Sequence, residues 1–264
     1  MVKNHYKKYR KKSNILLTCE HASKRIPREF KRLGLKRKEL ENSKDWYDPG
    51  AFEVMKFLAE KLKTSCIYSD VSRLVIDYNR RLNGKNKNKD KFHSCPMKYE
   101  LLVGKNGKDD IVKIPGNNFS TEKKFLAEEK KRFKKYVVPY RKDGYLMIDR
   151  IKNVHKMAYV ILIHSFYPFY NGDKRNVDIG VLHFSKQTFP ERVIKSLKKN
   201  TKFKIGNNKP WKLSDADGSI FHRVEDMKNA ELLVFDINNK NLINKKDIKK
   251  ISVAIAEALK ENIF

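Results

Sequence analysis

Ile15-Leu16-Leu17-Thr18-Cys19-Glu20-His21-Ala22-Ser23 is the stretch whose reading decides the fold. Residues suited to a buried strand run straight into a Cys-Glu-His cluster, and Pro27 follows shortly after. An apolar run ending in polar, metal-competent side chains describes a central strand of an α/β sheet, where chemistry gathers at the carboxyl ends of strands. The same form recurs downstream. Tyr159-Val160-Ile161-Leu162-Ile163 ends in His164-Ser165-Phe166, and Leu232-Leu233-Val234-Phe235 ends in Asp236-Ile237-Asn238. Three strand ends bearing His, His and Asp point to one site.

Helical patterns separate these strands. Asp48-Pro49-Gly50 opens a stretch in which Phe52, Met55, Leu58 and Leu62 recur at helical spacing. Asp48 reads either as the N-cap of that helix or as a metal-ligating carboxylate, roles that can coexist in a loop. Further helices are expected at 36–42, 120–136, 139–154, 190–199 and 247–262, helical turns near 219–227, and shorter strands at 66–68, 178–184 and 202–205. The run Leu74-Val75-Ile76-Asp77-Tyr78-Asn79-Arg80 reads as one more short strand ending in polar groups, with an Arg suited to a two-pronged grip on a carboxylate.

Residues 82–118 are rich in Lys, Asn and Gly and predict a long irregular excursion with a short hairpin at Asn106-Gly107. His93 and Cys95 lie inside it as a weak metal pair. The aromatic run at 166–170 is suited to wall a pocket. Strands alternating with helices predict an α/β fold, a three-layer α/β/α sandwich around a central mixed sheet. One domain is expected over residues 14–264, preceded by a flexible basic arm at 1–13.

The charge balance is lopsided, with 60 Lys and Arg against 31 Asp and Glu, a formal +29. Such a chain attracts polyanions non-specifically. The lysines are nevertheless scattered along the whole sequence, without a helix-turn-helix, zinc-finger or RNA-sheet signature, so a generic lysine-coated surface is favoured over a nucleic-acid reader. Cys19, Cys66 and Cys95 lack the paired spacing of a disulfide framework. No signal-peptide pattern opens the chain and no apolar run is long enough for a membrane span, which makes a cytoplasmic protein the expectation.

Two strand-end histidines and a loop carboxylate match the open-position zinc sites of hydrolases, which have three protein ligands. There the ion brings the pKa of a water toward about 7 and polarises the scissile carbonyl, while a neighbouring carboxylate accepts the proton.

Six words occur in order along the chain: Cys19-Glu20-His21-Ala22-Ser23, Asp48-Pro49-Gly50-Ala51, Ser72-Arg73-Leu74 through Asn79-Arg80, Ile114-Pro115-Gly116-Asn117, Ile163-His164-Ser165-Phe166 and Ile179-Gly180-Val181-Leu182. Together they resemble the N-formylglutamate amidohydrolase family, from about Ile15 to the last helix. The resemblance implies a phosphorylase/hydrolase-like sandwich similar to zinc carboxypeptidases and aspartoacylase-type deacylases. It also implies hydrolysis of N-formyl-L-glutamate to formate and glutamate, a step that ends histidine degradation.

Carried over residue by residue, the resemblance makes His21, Asp48 and His164 metal ligands for Zn2+ or another divalent ion, with Glu20 the rival acidic ligand. Asn79 and Arg80 become the clamp on a substrate carboxylate, with Arg73 and Ser165 beside them. One departure stands out. The family typically places Glu at the last strand end, where this chain has the shorter Asp236. The general base is then Asp236 in a shifted geometry, or Glu20. The alternative is an inactive or repurposed member that binds polyanions such as nucleic acid.

Overall fold

A computed structural model describes residues 5–82, 96–105, 108–170, 172–184, 188–213, 224 and 226–264. Its strands are β1 (Tyr6–Tyr9), β2 (Ile15–Cys19), β3 (Ser65–Ser69), β4 (Glu100–Lys105), β5 (Lys108–Lys113), β6 (Ala158–Phe166), β7 (Phe169–Tyr170), β8 (Asp173–Lys174), β9 (Ile179–Leu182), β10 (Ile205–Asn207) and β11 (Ala230–Asn238). Its α-helices are α1 (Arg37–Glu41), α2 (Ala51–Lys61), α3 (Glu122–Arg132), α4 (Val138–His155), α5 (Thr188–Asn200) and α6 (Lys245–Ile263).

Among the described residues, seven strands form the main sheet in the order β1-β3-β2-β6-β11-β9-β10. The run β3-β2-β6-β11 is parallel, whereas β1 and β9 join it antiparallel, so the sheet is mixed. From β2 the chain crosses to β3 on one side and later returns to β6 on the other. That reversal creates a crevice between the carboxyl ends of β2 and β6, where α/β sheets bind ligands.

Strand periodicity sorts the core into two layers. Leu16, Val160, Leu162, Leu232 and Val234 face α4 through Tyr140, Met147 and Ile148. The alternate residues Leu17, Ile161, Ile163, Leu233 and Phe235 face α2, α5 and α6 through Leu58, Leu197 and Ile255. Each central strand is therefore buried on both faces, as parallel strands covered by helices require. The result is the expected three-layer α/β/α sandwich.

Several local expectations are corrected. Within the segment read as a loose arm at 1–13, residues 6–9 form β1, paired with β3 at the sheet edge. Tyr6 is buried there and donates to Asp143 at 2.6 Å. Residues 74–76 are fully buried but form turns rather than a strand. Their backbone carbonyls are met by side chains instead of a neighbouring strand: Asn117 Nδ2 donates to Leu74 O and Arg132 Nη1 to Val75 O.

The expected helices at 120–136 and 139–154 join through a π-helical turn at Phe133–Val137. Pro139 lacks an N–H and crowds the carbonyl of residue 135, and the wider turn carries the helix past it. The excursion at 82–118 contains the β4–β5 hairpin on either side of residues 106 and 107. His93, Cys95 and most of the helical turns expected near 219–227 lie outside the described residues. Among those described, no helix is long and apolar enough to cross a membrane.

Candidate active site

Strand pleat and strand ends together build the site. β6 and β11 pair in register with His164 opposite Asp236, two residues beyond Leu162 and Val234. Both side chains therefore rise on the same face at the carboxyl end of the sheet. β2 ends at Cys19, which releases Glu20 and His21 from pleat alternation. The 45–50 loop then comes alongside, with the Asp48 N–H donating to the His21 carbonyl at 3.1 Å. Asp48 is not the helix cap. Gly50 fills that position with φ at +80°, and a Cβ there would lie 2.5 Å from Leu242 Cβ, so only glycine fits. The Asp48 carboxylate is left to face the histidines.

Three side chains converge. Asp48 Oδ2 lies 3.2 Å from His21 Nδ1 and 2.8 Å from His164 Nδ1, and the two rings meet edge-on with centroids 4.8 Å apart. One ligand atom from each of the three residues lies within 4.8 Å of the other two. The opposite nitrogen of each ring is backed by a buried carboxylate. His21 Nε2 is 2.7 Å from Asp77 Oδ1, and His164 Nε2 is 3.1 Å from Glu20 Oε2. Glu20 accepts from the Tyr140 hydroxyl at 3.1 Å, and Asp77 accepts from Arg73 Nη2 at 2.9 Å. Carboxylates behind imidazoles are the supports that orient metal-binding histidines.

The electrostatics call for a cation at this point. Burial opposes ionisation of Asp48, Glu20 and Asp77, yet each is held below the usual carboxylate range. His21 and His164 do this for Asp48, His164 for Glu20, and His21 with Arg73 for Asp77. Burial would likewise lower His164, but Asp48 and Glu20 outweigh it and raise its pKa to about 10. His164 Nε2 and Glu20 Oε2, though close, have no well-angled hydrogen-bond partner. Positive charge is what these carboxylates select between them. A divalent ion on the Nδ1 side would supply it, and two imidazoles with one carboxylate form a donor set that suits such an ion.

Above the triad opens a cavity of about 500 Å³, a size typical of small-molecule sites. Its lining includes the apolar Leu162, Leu182 and Val234 and the polar Asn79, Arg80 and Asp236. Burial pushes Asp236 up to about 7, and its Oδ1 is buried without a hydrogen-bond partner. Two buried ion pairs hold the β4–β5 hairpin to the rim. Lys44 Nζ reaches Asp109 at 2.6 Å, and Lys98 Nζ reaches Asp45 at 2.5 Å, while Asp45 Oδ2 also accepts from the Leu102 N–H.

The profile of the N-formylglutamate amidohydrolase family matches residues 13–242. The chain belongs to this family. A gene product of Agrobacterium tumefaciens of solved structure is 25% identical, with TM-score 0.79 over 99% of this chain and 95% of that one. An N-formylglutamate amidohydrolase from Ralstonia eutropha shares the fold at 14% identity, with TM-score 0.65 over 98% of this chain and 99% of that one. No curated protein matches.

Within this family member the nine site residues read from sequence fall into distinct places. His21, Asp48 and His164 meet directly. Asp236, Asn79 and Arg80 line the same cavity. Arg73 and Ser165 also line it, but their polar groups turn to the triad's supports. Arg73 bonds Asp77 and lies 3.5 Å from Asp48 Oδ1, while Ser165 donates its hydroxyl to Pro49 O and its N–H to Asp48 Oδ2. Glu20 does not line the cavity. It lies fully buried behind His164, which corrects the reading of it as a rival ligand or base.

Three further contributors were missed by sequence reasoning: Asp77 behind His21, Tyr140 behind Glu20, and Arg175 on the cavity wall. Asp77 lies in the 72–80 stretch, where the sequence alone assigns it no role. Its spacing from Asn79 and Arg80 was the available signal.

Proposed function

We propose that this chain is a metal-dependent amidohydrolase, using zinc or a similar divalent ion, that cleaves N-formyl-L-glutamate or a closely related N-acyl amino acid. The observation that carries this reading is the buried His21–Asp48–His164 convergence with a carboxylate behind each imidazole, opening into a small-molecule cavity. When bound, the ion would polarise the amide carbonyl and acidify a water.

The chain's own residues do the rest. Asn79 and Arg80 hold the amino-acid carboxylate at the cavity wall, a role that suits the planar, multi-donor guanidinium. Arg73 and Ser165 keep Asp48 and Asp77 in place. Asp236 accepts the proton from the attacking water and returns it to the leaving amine. Burial makes this carboxylate a base poised near neutral pH, the range in which proton transfer is most effective.

Formate or carboxylate release from a panel of N-acyl amino acids, measured with added zinc and after chelation, tests the proposal. Turnover that needs the metal and disappears in His164→Ala is expected. Metal-independent turnover, or none across the panel, contradicts it.

A further inference from the structure

Three of the cations lining the cavity are matched by buried acids. Lys44 pairs with Asp109, Lys98 with Asp45 and Arg73 with Asp77. Arg175 differs. Its half-buried guanidinium lies 4.5 Å from the ring centroid of Trp211, 4.6 Å from that of Tyr170 and 5.8 Å from that of Phe166. No carboxylate among the described residues forms an ion pair with it.

The segment carrying Arg175 is pinned at both ends of the residue. The Arg175 N–H donates to Pro168 O at 2.8 Å, and Asn238 Nδ2 donates to Arg175 O at 3.4 Å. Stacking on aromatic rings fixes the plane of a guanidinium while leaving its N–H edge available. Burial disfavours the charge, Asp236 and Asp173 favour it without coming within ion-pair distance, and an anion bound directly to the guanidinium would stabilise it further. Leu162, Leu182 and Val234 line the same cavity as Arg175 and His164 and give it an apolar surface.

We propose that Arg175 is the specificity-determining residue for a second carboxylate on the substrate, carried by a short apolar arm that lies over Leu162, Leu182 and Val234. This rests on the amidohydrolase reading for its place in a reaction, because the first carboxylate is assigned to Asn79 and Arg80. The second carboxylate comes either from an acidic amino-acid side chain or from a dicarboxylic acyl group. The shared chemistry is a dianion with one charge at Asn79 and Arg80 and the other at Arg175.

The test compares kcat/KM within two substrate pairs, N-formyl-L-glutamate against N-formyl-L-glutamine and N-succinylglycine against N-butyrylglycine. Whichever pair shows a preference for the acid locates the arm. Arg175→Gln should collapse that preference by about 10- to 100-fold, the worth of a charge-assisted hydrogen bond, chiefly through KM. Arg175→Lys should retain part of it, and it gives the answer if Arg175→Gln does not fold. A preference unchanged in both variants overturns the proposal. So does a fall in kcat shared by acidic and neutral substrates, or wild-type protein that prefers the acid in neither pair.

A second readout does not depend on turnover. The chain has two tryptophans, so Trp46→Phe leaves Trp211, stacked on Arg175, as the reporter. Glutarate should quench or shift its fluorescence at lower concentration than butyrate, and Arg175→Gln should erase the difference. That result with no hydrolysis would retire the amidohydrolase reading and keep this one. Equal responses to glutarate and butyrate overturn it.

Discussion

Around the triad the buried charges interlock, whereas Arg175 and Asp236 line the same cavity with no ion pair between them. Asp48 serves two imidazoles, Asp77 and Glu20 back them, and Arg73 and Tyr140 hold those carboxylates in turn. Among the described residues Arg175 is held by rings and by its backbone, and Asp236 keeps an oxygen without a hydrogen-bond partner. The same contrast marks their ionisation. Near the triad, burial is overcome and the carboxylates are held low, while at Asp236 burial wins and the pKa rises to about 7. On the proposed reading, the interlocked group is preorganised to hold a fixed charge, and the groups without an ion pair await a substrate.

The largest expected effect comes from breaking the interlocked group. Asp48→Ala leaves two imidazoles without their shared acceptor. It should abolish stoichiometric metal binding by elemental analysis and, with it, hydrolysis.

Next comes the carboxylate without an ion pair. Asp236→Asn should lower kcat by about 10²- to 10⁴-fold, the usual contribution of a general base, with a smaller change in KM. The base must be ionised, so wild-type kcat/KM should rise with pH up to about 7, or lower once a bound cation adds its attraction, and the variant should lose that limb. Stability should move in the opposite direction. A pKa raised by folding contributes stability below the unfolded value of about 3.9 that is lost as pH rises toward the folded value. Metal-free Asp236→Asn should therefore melt above wild type, by a margin that widens from about pH 4 to about pH 7.

Removing a support instead of a ligand sharpens the comparison. Asp77→Asn and Tyr140→Phe should each weaken metal affinity by about 10- to 100-fold in a competitive chelator titration, as loss of outer partners typically does. The smallest expected effect lies further out. Asn117 is fully buried, donates to the Leu74 and Lys98 carbonyls, and accepts from Arg132. Asn117→Ala should cost about 1–3 kcal/mol of stability by stranding those groups, seen as a lower melting temperature. Metal stoichiometry should be retained.

How much of this was legible follows from periodicity. Ile15 to Leu17, Tyr159 to Ile163 and Leu232 to Phe235 are continuous apolar runs ending in chemistry, and that pattern fixed the central strands, the sandwich and the convergence of His21, His164 and Asp236. Residues outside a periodic pattern were harder to place. Residues 74–76 look like a strand because burial demands apolar side chains in either case, and only the distant Asn117 and Arg132 show where their carbonyls are satisfied. Arg175 follows Asp173-Lys174 in a chain with 60 Lys and Arg, so nothing local separates it from the lysine-coated surface. Its partners Phe166, Tyr170 and Trp211 are brought together only by folding. β1 was hidden in the same way, since its lysines suit an exposed edge strand as well as a loose arm.

The central claim is that His21, Asp48 and His164 hold one divalent ion. The direct measurement is metal per chain, by elemental analysis of wild-type and His164→Ala protein supplied with zinc and then passed over a desalting column. About one ion per wild-type chain and a loss of it in the variant are predicted. A wild-type chain that emerges without metal, or a variant that retains as much as wild type, would contradict the account.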